Sequence, residues 1–327
     1  MTPLRFEEMY QAEWAELEAL LEEVSGGAGR SRVATGPVRG DRVAALYRRA
    51  CEHLALARSR AYPAHLQHRL ERLTAEAHQT IYHESTLGLA RLRHAVWNGF
   101  PQTVRRHAVY VWVAAATLLL PTFVVGALVY ARPELILSVV SPDMAEAFEE
   151  MYDASAESIG RQRTADTDWI MFGYYIRNNV GVAFQCFAGG LFAGVGSLFF
   201  LAYNGAFGGA IGGYLTERGL SSTFYSFIVT HSAFELTAII LSGAAGLRLG
   251  HALLAPGRRT RIQALVDAGR GCTVILYGTT ALLVIAAAVE AFWSSAGWIP
   301  PAVKYTVGGL CWLAVLGYLL FQGRHAG

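Results

Sequence analysis

The sequence predicts an all-α, polytopic membrane protein with about six transmembrane helices and an N-terminal helical module. Of its 327 residues, 53% are hydrophobic and only 16% are charged, and the mean hydropathy is +0.31. A soluble domain of this length does not need so much apolar sequence to fill its core. The first hundred residues differ, because they are rich in Arg, Glu and His and contain no apolar run of 18 residues. We therefore predict two domains, a cytoplasmic and interfacial helical module over 1–106 and a transmembrane helical domain over 107–327.

Three helices are predicted in the N-terminal module. Apolar residues recur at helical spacing over 6–24, over 43–61 and over 66–81. Asp41 can cap the second helix, and the segment 25–40, rich in Gly, Ser and Arg, is predicted to be a linker without fixed structure. The first segment lacks the basic start and apolar core of a signal peptide, so we expect the N-terminus to stay in the cytoplasm.

An amphipathic stretch is predicted to connect this module to the membrane. Between Thr86 and Arg106, apolar residues alternate with arginines, a pattern typical of a helix that lies on an anionic lipid surface. The first transmembrane helix should follow at once, from Ala108 to Tyr130. Membrane lipids are therefore predicted partners of the chain.

Two loops of opposite charge predict the topology. The segment 131–168 carries nine acidic residues against three arginines, which is typical of the extracytoplasmic side. The segment 248–270 carries five arginines against Asp267 alone, which is typical of the cytoplasmic side. We therefore expect a multi-pass protein of the inner membrane with both termini in the cytoplasm.

The remaining spans follow from these two loops. The segment 169–215 must begin and end outside, so it either crosses twice or enters the membrane as a broken hairpin. Further crossings are predicted over 224–246, 271–293 and 302–321. The 169–215 segment is dense in glycine, which allows helices to pack closely and also permits helix breaks that line a cavity. The glycines concerned are Gly189, Gly190, Gly194, Gly196, Gly205, Gly208, Gly209, Gly212 and Gly213.

Polar residues interrupt the predicted spans and form the candidate site. They are Arg177, Asn178, Asn179, Asn204, His231, Glu235 and Glu290. An ionisable group at bilayer depth normally faces the protein interior and has a partner. His231 and Glu235 are one helical turn apart, so they can pair with each other. That pair either fixes helix packing by a hydrogen bond or carries protons, since histidine titrates near neutral pH.

The other candidates leave more than one interpretation open. The asparagines can connect helices or cap broken helix ends by hydrogen bonds. Arg177 can extend to the outer interface or act as counter-ion to Glu235 or Glu290. No metal is predicted, because a second histidine in the His-Glu-x-x-His arrangement is missing and no Cys or Asp stands at ligand spacing.

No catalytic residue and no cofactor are predicted. A Ser/His/Asp set cannot be assigned from spacing, and the sequence contains no Walker loop and no dinucleotide-binding fingerprint. The arginines of the cytoplasmic loop suit lipid head groups better than nucleic acid. Of the four cysteines, three lie in apolar segments, so we expect packing rather than disulfides. The sequence leaves open whether the chain forms a homo-oligomer.

The order and spacing of several short motifs resemble the stage II sporulation protein M family between about residues 40 and 321. In the cytoplasmic part these are Leu46-Tyr47-Arg48-Arg49, Leu54-Ala55-Leu56-Ala57-Arg58, Ala77-His78 with Ile81-Tyr82, Phe100-Pro101 and Val104-Arg105. In the membrane part they are Asn178-Asn179, Asn204-Gly205, His231 with Glu235, and Glu290-Ala291-Phe292. The histidine of the family usually stands in a Pro-His-Gly context. Thr230-His231-Ser232 departs from that context, so a helix start at the histidine is not predicted here.

The resemblance implies a role in the cell envelope. In sporulating relatives, it implies a membrane anchor for a peptidoglycan-degrading complex; in other bacteria, relatives are encoded beside MoxR-type ATPases. The leading hypothesis is therefore a non-enzymatic scaffold whose partners are peptidoglycan hydrolases or a MoxR-type ATPase. The alternative is a transporter or proton-coupled channel that uses the intramembrane Asn/His/Glu cluster. An intramembrane hydrolase or metalloenzyme is the third.

Overall fold

The structure, a computed structural model, describes residues 1–26, 37–82, 93–153, 159–160 and 168–324. The chain divides into two compact units, Met1–Leu92 and Arg93–Gly327. The predicted all-α class is confirmed, since 88% of the described residues are helical and none of them lies in a strand. Most of the predicted linker and the first part of the predicted amphipathic stretch, residues 27–36 and 83–92, lie outside the described residues.

The N-terminal unit contains three helices, as predicted: α1 (Pro3–Gly26), α2 (Pro37–Ser59) and α3 (Ala64–Tyr82). The predicted start of α2 was wrong, because the helix begins at Pro37 and Asp41 lies inside it. Proline suits the first turn of a helix, where its missing N–H leaves no bond unmade. The apolar stripes of the three helices meet in one core that consists of Phe6, Trp14, Leu17, Leu21, Val43, Leu46, Ala50, Ala57, Tyr62, Leu66, Leu70, Leu73 and Ala77.

One polar contact lies inside this core. The indole nitrogen of Trp14 donates a hydrogen bond to Nδ1 of His53 at 3.1 Å, and both side chains are buried. Burial lowers the pKa of His53 below its ordinary value of 6.5. His53 therefore stays neutral in the folded unit at a pH where the unfolded chain already binds a proton.

This unit is expected to lose stability as the pH falls from 7.5 to 5.5. The unfolded state gains a proton on His53 in that range and the folded state does not, so acid favours unfolding. Hydrogen exchange of the amides over 46–57, measured on the full chain, should show protection on the order of threefold weaker at pH 5.5. His53→Gln should remove most of this pH dependence. His68→Gln, at a side chain that is 78% exposed, should retain it; equal pH dependence in both variants would contradict the account.

The second unit contains eight further helices among its described residues. They are α4 (Phe100–Arg106), α5 (Ala108–Ala131), α6 (Pro142–Tyr152), α7 (Asp168–Ala188), α8 (Val195–Glu217), α9 (Ser221–Leu254), α10 (Arg261–Val289) and α11 (Pro301–Phe321). A π-helical turn, Ala95–Gly99, precedes α4, and a second one, Glu290–Ser294, continues α10.

Five described helices are long and apolar enough to cross a membrane: α5, α8, α9, α10 with its π turn, and α11. The sequence predicted about six crossings, and the predicted crossing that is missing from these five corresponds to α7. It has 21 residues but begins at Asp168 and carries Arg177 and two asparagines. The predicted 169–215 hairpin is thus two helices separated by a break at 189–194, where Gly194 has a φ of 86°. A polytopic all-α membrane protein is confirmed, and α7 as a full crossing stays a prediction.

Glycines bring the membrane helices into close contact, as predicted. A Cβ atom at Gly209 of α8 would lie 2.2 Å from the carbonyl oxygen of Thr122 in α5. At the break, a Cβ atom at Gly190 would lie 2.1 Å from the carbonyl oxygen of Gly246 in α9. Only glycine therefore fits at these backbone crossings. Of these five helices, α9 is the most enclosed by protein: 61% of its most apolar 18-residue stretch is buried, compared with 11% for α5. Polar side chains on α9 can therefore face protein instead of lipid.

Candidate functional site

His231 and Glu235 lie on the buried side of α9. Their side chains are 6% and 21% exposed, and His231 Nε2 is 3.8 Å from Glu235 Oε2. This distance fits an ion pair but is too long for a hydrogen bond. The α9 helix runs without interruption from Ser221 to Leu254, so the histidine stands inside a continuous helix, in agreement with its Thr-His-Ser context.

The other ring nitrogen of His231 contacts the π turn. Its Nδ1 lies 3.0 Å from the hydroxyl oxygen of Ser294, and the ring of Phe227 packs edge-on against the imidazole at 5.2 Å. A partner on one nitrogen of a histidine fixes the orientation of the ring and the use of the other nitrogen. Nε2 of His231 is therefore directed towards Glu235.

Glu290, the first residue of the π turn, joins this pair. One nitrogen or oxygen atom each from His231, Glu235 and Glu290 lies within 4.8 Å of the other two. Oε2 of Glu290 is buried and accepts no hydrogen bond from a described residue. Turns of the π type interrupt an α-helix at some cost and occur frequently at functional sites. We refer to His231, Glu235 and Glu290 as the polar triad.

Two further elements enclose the polar triad. On α7, buried Asn179 lies beside Glu290 and accepts a hydrogen bond from Asn178 Nδ2 at 3.1 Å. At the end of α6, Tyr152 is buried, and its hydroxyl is close enough to Glu290 and Glu235 to interact electrostatically with both carboxyl groups. Burial raises the pKa of the Tyr152 hydroxyl above its ordinary value, so this side chain remains neutral.

The sequence analysis missed Lys304. This residue of α11 is fully buried, and its Nζ donates a hydrogen bond to the backbone oxygen of Ser294 at 2.7 Å. Its own backbone oxygen accepts a hydrogen bond from Thr230 Oγ1 at 3.3 Å. Lys304 thus connects the π turn and α9 to α11. A single lysine in the apolar segment 302–321 was a usable signal, because a cation at that depth needs a partner.

Three of the seven predicted site residues do not join the polar triad. Arg177 and Asn178 are exposed on α7. Among the described residues, Arg177 forms no ion pair with Glu235 or Glu290, so of its two predicted roles its exposed position suits extension to the outer interface. Asn204 donates to the backbone oxygen of Phe200 in its own helix at 2.7 Å. Asn179, His231, Glu235 and Glu290 come together, and their donor set of one imidazole, two carboxylates and one amide can share protons or hold a cation.

Two protein-family models match the chain. The model described as Stage II sporulation protein M matches residues 115–295, more than half of the 327 residues. The model described as Domain of unknown function (DUF8413) matches residues 4–83. The first match includes the polar triad and ends before Lys304, and the second coincides with the three helices of the N-terminal unit. No curated protein and no solved structure shows detectable similarity to the chain.

Proposed function

The chain belongs to the stage II sporulation protein M family, and from that premise we propose that it is a non-enzymatic scaffold of a cell-envelope complex in the inner membrane. One observation carries this proposal: the chain consists of two compact units, and a separate family model matches each of them. A helical module with its own core, attached to a membrane domain, can present a binding surface while the membrane domain retains it at the bilayer.

The polar triad supports a structural role inside this scaffold. It joins α9 to the π turn of α10, and Lys304 joins that turn to α11. Between helices in lipid, no hydrophobic force drives association, so hydrogen bonds and close packing must supply the specificity. A set of buried polar contacts that involves three helices fixes their register.

The acidic segment offers a second surface for partners. Helix α6 is held on the membrane unit because Glu149 accepts a hydrogen bond from Tyr214 and lies 3.3 Å from Nε of Arg218. Three other carboxylates of α6 remain exposed: Asp143, Glu146 and Glu150. A rigid helix with several exposed acidic groups suits a partner with a basic surface. In the proposed topology, this partner is a peptidoglycan hydrolase outside, while the N-terminal unit binds a MoxR-type ATPase in the cytoplasm.

Removal of the N-terminal unit is expected to separate these two interactions. The full chain and a chain that begins at Arg93 should be tagged in the native host, crosslinked, solubilised mildly and analysed by mass spectrometry. We expect the full chain to recover both partners in near-stoichiometric amounts. The shortened chain, which retains the whole second unit, should keep the hydrolase and lose at least about nine tenths of the ATPase.

As a control for folding, the shortened chain must elute as a single species in detergent. Recovery of neither partner with the full chain would contradict the scaffold proposal. Equal recovery of the ATPase with both chains would place its binding surface outside the N-terminal unit.

A transporter or proton-coupled channel is the second candidate function. Three ionisable groups enclosed in the membrane unit favour it. The positions of Arg177 and Asn204 weigh against a continuous polar path, because neither side chain joins the polar triad. Reconstituted vesicles with a pH-dependent flux that Glu235→Gln abolishes would support this candidate in place of the scaffold.

A further inference from the structure

We propose that His231, Glu235 and Glu290 form a binding site for one divalent transition-metal ion of the zinc class. This inference goes beyond the scaffold function and does not depend on it. The sequence predicted no metal, because on α9 only one histidine and one carboxylate stand at ligand spacing. The third ligand comes from the π turn of α10, which packs beside them.

The donor atoms are of the kinds that such an ion prefers. Zinc is bound by imidazole nitrogen and carboxylate oxygen at about 2.0–2.2 Å, so its ligands lie roughly 3–4 Å from one another. Nε2 of His231 and Oε2 of Glu235 are 3.8 Å apart. One donor atom from each of His231, Glu235 and Glu290 lies within 4.8 Å of the other two. Donor atoms up to 4.8 Å apart need to approach by on the order of 1 Å to reach this spacing. The imidazole favours zinc over Mg²⁺ and Ca²⁺, which prefer oxygen ligands alone.

The surroundings of His231 match those of a metal ligand. A ligating histidine usually donates its second ring N–H to an acceptor, which fixes the tautomer and directs the other nitrogen at the metal. Here the Ser294 hydroxyl is 3.0 Å from Nδ1, and Nε2 is 3.8 Å from Oε2 of Glu235. Lys304 holds the backbone of Ser294 in place. The histidine is therefore preorganised to bind through Nε2.

Unsatisfied polar atoms supply an independent indication. Oε2 of Glu290 is buried and has no hydrogen-bond partner within bonding distance among the residues that the structure describes. Glu290 lies beside the side chain of Asn179, which is 2% exposed. Buried polar groups in native proteins nearly always have a partner. A divalent cation would satisfy the free carboxylate oxygen and balance the charges of the two glutamates.

The test is metal analysis of the full chain, purified in detergent by a tag without histidines. After treatment with a chelator and addition of zinc chloride, elemental analysis should give about one zinc ion per chain. The same treatment should raise the temperature of unfolding, and magnesium chloride should not. Glu290→Gln and His231→Gln should each retain less than about a tenth of the zinc. Glu217→Gln, at a carboxylate on the end of α8 that is 37% exposed and pairs with Arg218, is the matched control and should bind zinc as the unmodified chain does.

Substitution with cobalt keeps the proposal testable if the two variants do not fold. Co²⁺ in the unmodified chain should give the visible absorption of a site with nitrogen and oxygen ligands and no sulfur-to-cobalt charge-transfer band. Such a band would assign the metal to a cysteine and overturn the proposal. A folded, metal-free chain that binds no added zinc would also overturn it, as would equal zinc in Glu290→Gln and the unmodified chain.

Discussion

Replacement of Gly209 by leucine is expected to abolish the folded membrane unit. A Cβ atom at this position would lie 2.2 Å from the backbone oxygen of Thr122, and a backbone cannot move aside as a flexible side chain can. The crossing of α5 and α8 must therefore open. Overpacking of this kind costs about 3 kcal/mol or more, which is enough to unfold many proteins of marginal stability. Size-exclusion chromatography in detergent should show aggregate in place of a single peak.

The neighbouring glycine provides the control. A Cβ atom at Gly208 meets no atom within 4 Å, and the residue is exposed. Gly208→Leu should therefore elute as the unmodified chain does, although it makes the same change in helix propensity and adds the same volume. If both leucine variants aggregate, glycine is needed here for a reason other than the helix crossing.

Replacement of Glu235 by glutamine is the second large effect that we expect. The change removes the carboxylate that faces His231, which is also a ligand of the proposed metal site, with almost no change of shape. Removing one partner of a buried polar pair costs about 1–3 kcal/mol, which corresponds to a fall of roughly 2 to 10 °C in the temperature of unfolding. The folded yield should be several-fold lower. Glu217→Gln, at the exposed end of α8, should change neither quantity.

Other results with Glu235→Gln would indicate a function for this carboxylate beyond the stability of the fold. Normal yield and normal thermal stability of Glu235→Gln, together with loss of cellular activity, would contradict a structural role for this carboxylate. Loss of a solute flux at normal stability would indicate transport through the polar triad.

The helical class and the main apolar segments were predictable because each depends on local sequence. Stripes of apolar residues at helical spacing gave the three helices of the N-terminal unit. Long apolar runs gave the spans from 108 onwards to within a few residues, although α9 and α10 extend beyond the predicted crossings. The pairing of His231 with Glu235 was also accessible, since residues four apart on a helix are neighbours.

The features of the site that the sequence did not predict depend on contacts between distant segments of the chain. Glu290 reaches the pair on α9 only because α10 packs beside that helix and widens into a π turn. Ser294 carries no local pattern that indicates His231 as its partner. The apolar context of Lys304 indicates that it needs a partner but does not identify the π turn as that partner. Asn204 was assigned to the site because an asparagine at bilayer depth needs a partner, but its own helix supplies one at Phe200.

On this account, the chain is a scaffold and the polar triad only stabilises its fold. The most direct test measures the amount of partner recovered per folded chain after crosslinking in native membranes. This ratio is compared between the unmodified chain and Glu235→Gln. We expect the unmodified chain to recover a peptidoglycan hydrolase or a MoxR-type ATPase in near-stoichiometric amounts. Per folded molecule, Glu235→Gln should recover the same amount, because the variant lowers the number of folded chains and leaves the extramembrane surfaces intact. Absence of any such partner, or its loss from folded Glu235→Gln, would contradict the account.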